Sequence, residues 1–209
     1  MNKAVGFCAA ALACGLAVPA AAGSAADTNF SYTYLGVDLA RTNFDETIWV
    51  ADEGYNAIGG LGINGAFQVQ GLPLAFFGSA SHQGNEGPRT ELNLSGVTFG
   101  AAFPFRVADR VDLVPAIGYG SVEVEVCYDG LCAKADDSGA LLGLGTRMWL
   151  VPDSLEFNLG YEVIDLEHGS ESAIGAGIAG WFQQHHSLRL TGVFTDDANT
   201  IRLGYRYSW

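Results

Sequence analysis

The segment Thr200-Ile201-Arg202-Leu203-Gly204-Tyr205-Arg206-Tyr207-Ser208-Trp209 carries a large apolar or aromatic side chain at every second position. These are Ile201, Leu203, Tyr205, Tyr207 and Trp209; Arg202, Gly204, Arg206 and Ser208 fill the places between. Successive side chains of a β-strand leave on opposite faces, so this period of two predicts a strand with one greasy and one polar face. A helix, with its period of 3.6, would scatter the same residues around its axis.

The opening of the chain makes a second, different prediction. Met1-Asn2-Lys3 is a short basic start, residues 4–18 are apolar and uncharged, and Ala20 and Ala22 offer a small-residue cleavage site. This pattern predicts a secretory signal peptide over 1–22, with cleavage as late as 26, and a single mature domain over 27–209. An uncleaved anchor would need about 20 apolar residues, which this run lacks. A lipoprotein reading rests on Ala11-Leu12-Ala13-Cys14, whose leucine is one place out of register.

No long apolar run follows, yet the chain is 49% hydrophobic and only 16% charged, with 28 glycines. Soluble domains carry about 25% charge. Lys134 is the one lysine beyond Lys3. Apolar surface hidden in alternation rather than in runs is the mark of a membrane β-barrel.

Turn residues divide the mature region into ten segments, near 29–41, 56–69, 73–84, 90–103, 110–126, 138–150, 154–166, 171–183, 186–196 and 199–209. Their lengths suit the 9–11 tilted residues needed to cross hydrocarbon. In 154–166, Leu155, Phe157, Leu159, Tyr161 and Val163 oppose Glu156, Asn158, Gly160 and Glu162. Segment 110–126 shifts phase near Gly120, where a bulge is expected. The fold class predicted is all-β: a closed antiparallel transmembrane β-barrel of about ten strands, with eight as the alternative. A soluble barrel would need a charged exterior, and the polar faces here hold mostly glycine and small residues.

Connections near 70–73, 106–110, 152–154 and 183–186 are short. Those at 42–55, 84–89, 127–137, 167–171 and 196–199 are acidic and include the longest. Short turns belong on the periplasmic side and longer loops outside. The outer set holds Asp45, Glu46, Asp52, Glu53, Glu86, Asp129, Asp136, Asp137, Glu167, Glu171, Asp196 and Asp197, and the whole chain has net charge −13. A solvated surface is the favoured reading; a rim holding divalent cations among lipopolysaccharide head groups is the other. No basic patch suits nucleic acid.

With apolar side chains facing lipid, Asp38, Asp112, Arg147, Glu156, Glu162, Arg189, Arg202 and Arg206 point into the lumen. Buried charges of both signs should pair or meet water. About eight strands just suffice to pack an interior, whereas open porins use 16 or more. Ten strands therefore favour a salt-bridged plug over a narrow, charge-lined passage.

Cys127 and Cys132 flank Tyr128-Asp129-Gly130-Leu131 in one outer loop. Export favours their oxidation to a disulfide. Two cysteines without clustered histidines make a poor zinc site, and no metal or cofactor is expected. Ser81, His82 and Glu91 are the nearest approach to a catalytic set. Strand neighbours point to opposite faces, so Ser81 and His82 cannot easily cooperate. No G-x-S-x-G or H-E-x-x-H occurs, so the chain does not read as an enzyme.

The terminal aromatic strand (Leu203, Tyr205, Tyr207, Trp209), the leader and the strand–turn rhythm resemble small bacterial outer-membrane β-barrels of the OmpA/OmpX-like kind. Phe30-Ser31-Tyr32-Thr33-Tyr34-Leu35-Gly36 and Arg110-Val111-Asp112-Leu113-Val114-Pro115 are also similar to a short xanthomonad-type barrel family. The resemblance implies residence in the bacterial outer membrane. The partners it implies are outer-membrane lipid and lipopolysaccharide, periplasmic chaperones, and the barrel-assembly machinery that reads the terminal strand. The ten-stranded outer-membrane proteases share the strand count but are considerably longer. The function expected is structural or surface-interacting; a narrow pore for ions or small solutes is the alternative, and a lipid-modifying enzyme a third.

Overall fold

The computed structural model describes residues 28–167 and 169–209. The expected leader with its cleavage site, and His168, lie outside the described residues. The strands are β1 (Tyr34–Val50), β2 (Glu53–Gln68), β3 (Ala75–Glu86), β4 (Thr90–Ala102), β5 (Phe105–Ala108), β6 (Val111–Tyr128), β7 (Leu131–Val151), β8 (Leu155–Leu166), β9 (Gly169–Phe182), β10 (His186–Phe194) and β11 (Ala198–Ser208). Ten of them form a ring in which each pairs antiparallel with its sequence neighbour. β1 closes on β11, and β4 pairs directly with β6. The short β5 lies in the β4–β6 turn and pairs with the base of β6. Closure leaves the ring without an edge, which a sheet in hydrocarbon requires.

The orientation of the sheet follows from exposure. Leu61 is 64% exposed on the outer face, while Asp38 is 5% exposed inside. Leu35, Val37, Leu39, Ile63, Phe67, Leu188, Leu190, Ile201 and Leu203 share the outer face with Leu61. Each such side chain left in water would forgo about 1.5–3 kcal/mol. That is the surface a lipid bilayer covers. At its periplasmic edge the rings of Phe182, His186, Tyr205, Tyr207 and Trp209 touch in series on β9–β11. Such aromatic girdles sit at membrane interfaces.

Three details differ from the sequence reading. Residues 29–33 are not strand; the sheet begins at Tyr34, and the preceding segment is tucked inside the ring. The stretches 42–55 and 127–137, expected as loops, are strand almost throughout. β1 and β2 meet across Ala51-Asp52, and β6 and β7 across Asp129-Gly130. Asp129 and Gly130 both have positive φ, the backbone that an Asp-Gly two-residue hairpin turn uses. Polarity there reflects a strand standing above hydrocarbon, not an absence of pairing. Finally, no register shift occurs at Gly120, which faces Thr98 and Gly139 in unbroken ladders. The irregularity on the tall strands falls between Asn43 and Ile48 instead.

The outer rim is uneven. β6 and β7 pair up to Tyr128–Leu131, but β8 leaves β7 at Gly139–Leu166. On the other flank β11 leaves β1 at Ala198–Phe44. The wall from β1 through β7 thus stands well above the one from β8 to β11. At about 3.4 Å per residue the first eight residues of β7, which precede its pairing with β8, add roughly 27 Å of strand.

Candidate functional site: the filled lumen and the outer crown

The inner face of the ring carries, from the periplasmic end upward, a floor, a charged middle and an apolar cap. The floor is built by the segment that precedes β1. The backbone N–H of Asn29 donates to Asp112 Oδ1 and Oδ2 (3.0 and 2.9 Å), and its Nδ2 donates to Asp112 Oδ1 (2.8 Å) and to the Ala108 carbonyl (2.9 Å). Tyr32 adds its hydroxyl to Asp112 Oδ2 at 3.1 Å. One carboxylate on β6 therefore anchors both ends of the tucked segment. Phe30 stacks on Trp149 with centroids 4.7 Å apart, and the Arg147 guanidinium lies 4.2 Å from the centre of the Phe30 ring. Arg147 Nη1 also donates to the Ser31 carbonyl (3.3 Å), and Trp149 Nε1 to the Asn29 carbonyl (3.1 Å).

Arg147 is the hub of this layer. It forms a two-pronged pair with Glu156 on β8, Nε to Oε1 at 2.7 Å and Nη2 to Oε2 at 2.5 Å. Both side chains are essentially fully buried. Trp181 Nε1 donates to the same Oε2 at 3.0 Å. Buried charges survive only with such matched geometry and satisfied lone pairs.

Above the floor, Arg189 on β10 reaches Asp38 on β1, with Nη2 2.7 Å from Oδ2. Asn64 on β2 donates to that oxygen at 2.5 Å. Glu162 and Arg202, on β8 and β11, are both buried on the inner face. Higher still, the Thr42 hydroxyl meets Gln83 Oε1 (2.9 Å) and Thr200 Oγ1 (2.8 Å). Val50, Tyr55, Ile58, Leu92, Leu94 and Val122 then form an apolar cluster under the crown.

The crown itself is tied at Arg89, in the β3–β4 turn. Its Nη2 lies 3.0 Å from Asp52 Oδ2 on the β1–β2 tip. Its carbonyl accepts the N–H of Asp129 on the β6–β7 tip (2.8 Å), and its guanidinium sits 5.6 Å from the Tyr128 ring. Tyr128 and Asp52, in that order, raise the Arg89 pKa above its ordinary value. Glu53 accepts a short hydrogen bond from the Thr90 hydroxyl. On the tall hairpin, Lys134 Nζ stands 2.8 Å from Glu123 Oε1 and 3.6 Å from Glu125 Oε1. The hydrogen bond to Glu123 leads in holding that ammonium above the usual lysine range. Cys127 and Cys132 are joined, Sγ to Sγ 2.07 Å. Glu125 lies near both sulfurs, but disulfide sulfurs offer no thiolate, so these three do not make a metal site. Beyond the disulfide, Leu131 projects 79% exposed.

The structure thus puts Asp38, Asp112, Arg147, Glu156, Glu162, Arg189, Arg202 and Arg206 inside the ring, and Leu203, Tyr205, Tyr207 and Trp209 on its outer face. Sequence reasoning missed Asn29, Phe30, Asn64, Trp149 and Trp181 as partners of those charges. Two signals existed: Asn29-Phe30-Ser31-Tyr32 directly precedes the first strand, and Trp149 and Trp181 share parity with Arg147 and Ala179. The acidic positions also spread out: Asp45, Glu46, Glu53, Glu86, Asp136, Asp137 and Glu171 are on strands, not loops. Asp137 is buried and accepts the N–H groups of Ser138 (2.8 Å) and Glu167 (3.1 Å). His82 Nδ1 meets Ser95 Oγ at 2.9 Å on the opposite face from Ser81.

The family described as outer membrane protein β-barrel domain matches residues 8–208 of the sequence. No curated protein matches it. Among solved structures it is similar to the outer membrane protease OmpT of Escherichia coli, at 8% identity and a TM-score of 0.55, over 84% of this chain and 97% of that one. It is also similar to Ail, the attachment invasion locus protein of Yersinia pestis, at 12% identity and a TM-score of 0.45, over 85% and 99%. A third match is the Neisserial surface protein A, at 13% identity and 0.45, over 84% and 96%. At these identities the likeness is one of fold.

Proposed function

The chain belongs to the outer membrane protein β-barrel domain family, and from that premise we propose that it is a structural and surface-interaction protein of the bacterial outer membrane. Its lumen is shut, and its working surface is the tall outer crown.

One observation carries this reading. The Arg147–Glu156 pair is fully buried and roofs a floor made by the chain's own residues 29–32. A conducting lumen needs hydrated charges along its path; these are desolvated and committed to one another. The crown supports the second half of the reading. Arg89 fastens three hairpin tips, and the disulfide stiffens the tallest, so exposed groups such as Leu131 are held in place before any partner arrives. Lipopolysaccharide and lipid meet the outward apolar belt. The barrel-assembly machinery and periplasmic chaperones take the strand ending in Leu203, Tyr205, Tyr207 and Trp209. His82, bound to Ser95 and turned away from Ser81, gives no support to hydrolysis.

Recording from the purified barrel in planar bilayers tests the closed lumen. The expected result is no stable stepwise conductance. Stable steps whose size shifts in Glu162→Gln or Arg202→Gln would replace this reading with that of a narrow pore for ions or small solutes.

A further inference from the structure

Two of the lumen arginines fork onto acidic groups of the wall; Arg206 is placed differently. Arg147 forks onto Glu156, and Arg189 forks onto Asp38. Arg206, on β11, is only 2% exposed. Its guanidinium lies 4.5 Å from the centre of the Tyr34 ring. Among the described residues, its Nε and Nη1 have no hydrogen-bond partner. A buried guanidinium with idle donors is a costly arrangement unless something accepts from them.

The groups around it share that property. Ser187 on β10 stands directly opposite Arg206 in the ladder, on the same inner face, and is fully buried. Directly opposite residues hold their Cβ atoms about 5 Å apart. Ser208 is two residues along β11 on the same face, opposite Tyr34 of β1, and is also buried. The hydroxyls of Ser187 and Ser208 likewise have no partner among the described residues. Three side chains with idle polar atoms, one of them a cation, therefore leave neighbouring positions on one patch of inner wall. The nearby carboxylates do not compete for it, because Glu156 is held by Arg147 and Trp181, and Asp38 by Arg189 and Asn64.

We propose that Arg206, Ser187 and Ser208 form a binding site for a small tetrahedral oxyanion of the size of phosphate or sulfate. The guanidinium supplies the charge and the donors of one edge, and each hydroxyl donates to a further oxygen. A planar carboxylate has too few oxygens to meet that edge and both hydroxyls. Ser187 is the second residue of β10, Ser208 the last of β11 and Tyr34 the first of β1, so the site lies at the periplasmic end of the ring beside the floor. It serves retention of an anion at the inner mouth and does not depend on whether the lumen conducts.

The test uses the full barrel, isotope-labelled and folded in detergent micelles. Inorganic phosphate is titrated against sodium chloride at equal ionic strength, and the Arg206 Nε–H and the amides of Ser187 and Ser208 are followed by NMR. A saturable shift of these signals, with the Arg147 Nε–H unmoved, is the expected result. Sulfate should compete, and acetate should bind at least about tenfold more weakly, the loss of one charge-assisted hydrogen bond. Arg206→Gln should abolish saturation, and Ser187→Ala with Ser208→Ala should weaken it by a similar factor of about ten. Correct folding of each variant is read from heat-dependent gel migration; were Arg206→Gln not to fold, the serine variants decide. The absence of a saturable shift, its persistence in folded Arg206→Gln, unchanged affinity in the serine variants, or acetate binding as tight as phosphate would each overturn the proposal.

Discussion

Arg189 and Asp38 form their ion pair across an intervening strand. Arg189 is on β10 and Asp38 on β1, and both stand in register with Gly204 of β11, which lies between them. Their side chains meet, Nη2 to Oδ2 at 2.7 Å, over the bare backbone of that glycine. A methyl group at Gly204 would collide with Asp38 Oδ1 and with Arg189 Nε. Gly204→Ala is therefore expected to push the two charges apart and cost up to about 3 kcal/mol, as disrupting buried pairs does. Equilibrium urea unfolding in lipid vesicles measures it. Gly180→Ala, where an added Cβ meets nothing within 4 Å, should be neutral by the same assay.

Arg147 serves Glu156, the Ser31 carbonyl and the Phe30 ring together. Arg147→Met alone should destabilise the barrel by about 3–5 kcal/mol, because Glu156 is left buried without its cation. Arg147→Met combined with Glu156→Leu should cost much less than the sum of the two single changes. Strict additivity in that cycle would mean that the pair does not act as a unit.

Phe30 fills the space between Trp149 and Arg147. Phe30→Ala should cost about 3–5 kcal/mol if the floor unfolds with the barrel. If the floor opens on its own, the same change should instead speed hydrogen exchange at Asn29–Tyr32 while leaving the urea midpoint unchanged. Either way, Trp149 loses its stacking partner, and its fluorescence should shift.

The disulfide closes a ring of only six residues around a turn that the β6–β7 ladder already holds. Chain entropy allows about 2 kcal/mol for so short a loop at most. Cys127→Ser with Cys132→Ser is thus expected to leave the heat-dependent gel shift intact. Cleavage by added protease should become faster at the 128–131 tip alone. Cleavage elsewhere in the barrel would show a larger structural role.

The fold was largely legible because alternation reports which face each residue takes, and in a lipid-exposed ring the face decides nearly everything. Leu155, Phe157, Leu159, Tyr161 and Val163 needed no more than their parity. Parity does not report pairing partners, and the departures arise there. Ser31-Tyr32-Thr33 alternates as well as any strand, yet its partner is the lumen wall. Residues 42–50 look like a loop because their polar groups face water above the membrane, not because they lack a ladder. For the charged groups, the sequence pointed inward correctly at Asp38, but the part played by Gly204 depends on register across three strands. No local pattern encodes that.

The tucked segment has a consequence for biogenesis. Asn29 and Tyr32 bind Asp112, more than 75 residues away in the chain, and Ser31 binds Arg147, farther still. The stretch synthesised before the first strand can therefore settle only after the middle of the protein has taken shape around it. A polypeptide threaded into the bilayer one hairpin at a time would carry that stretch loose until the cylinder was nearly complete, so sealing the base becomes a final checkpoint of assembly rather than its starting point.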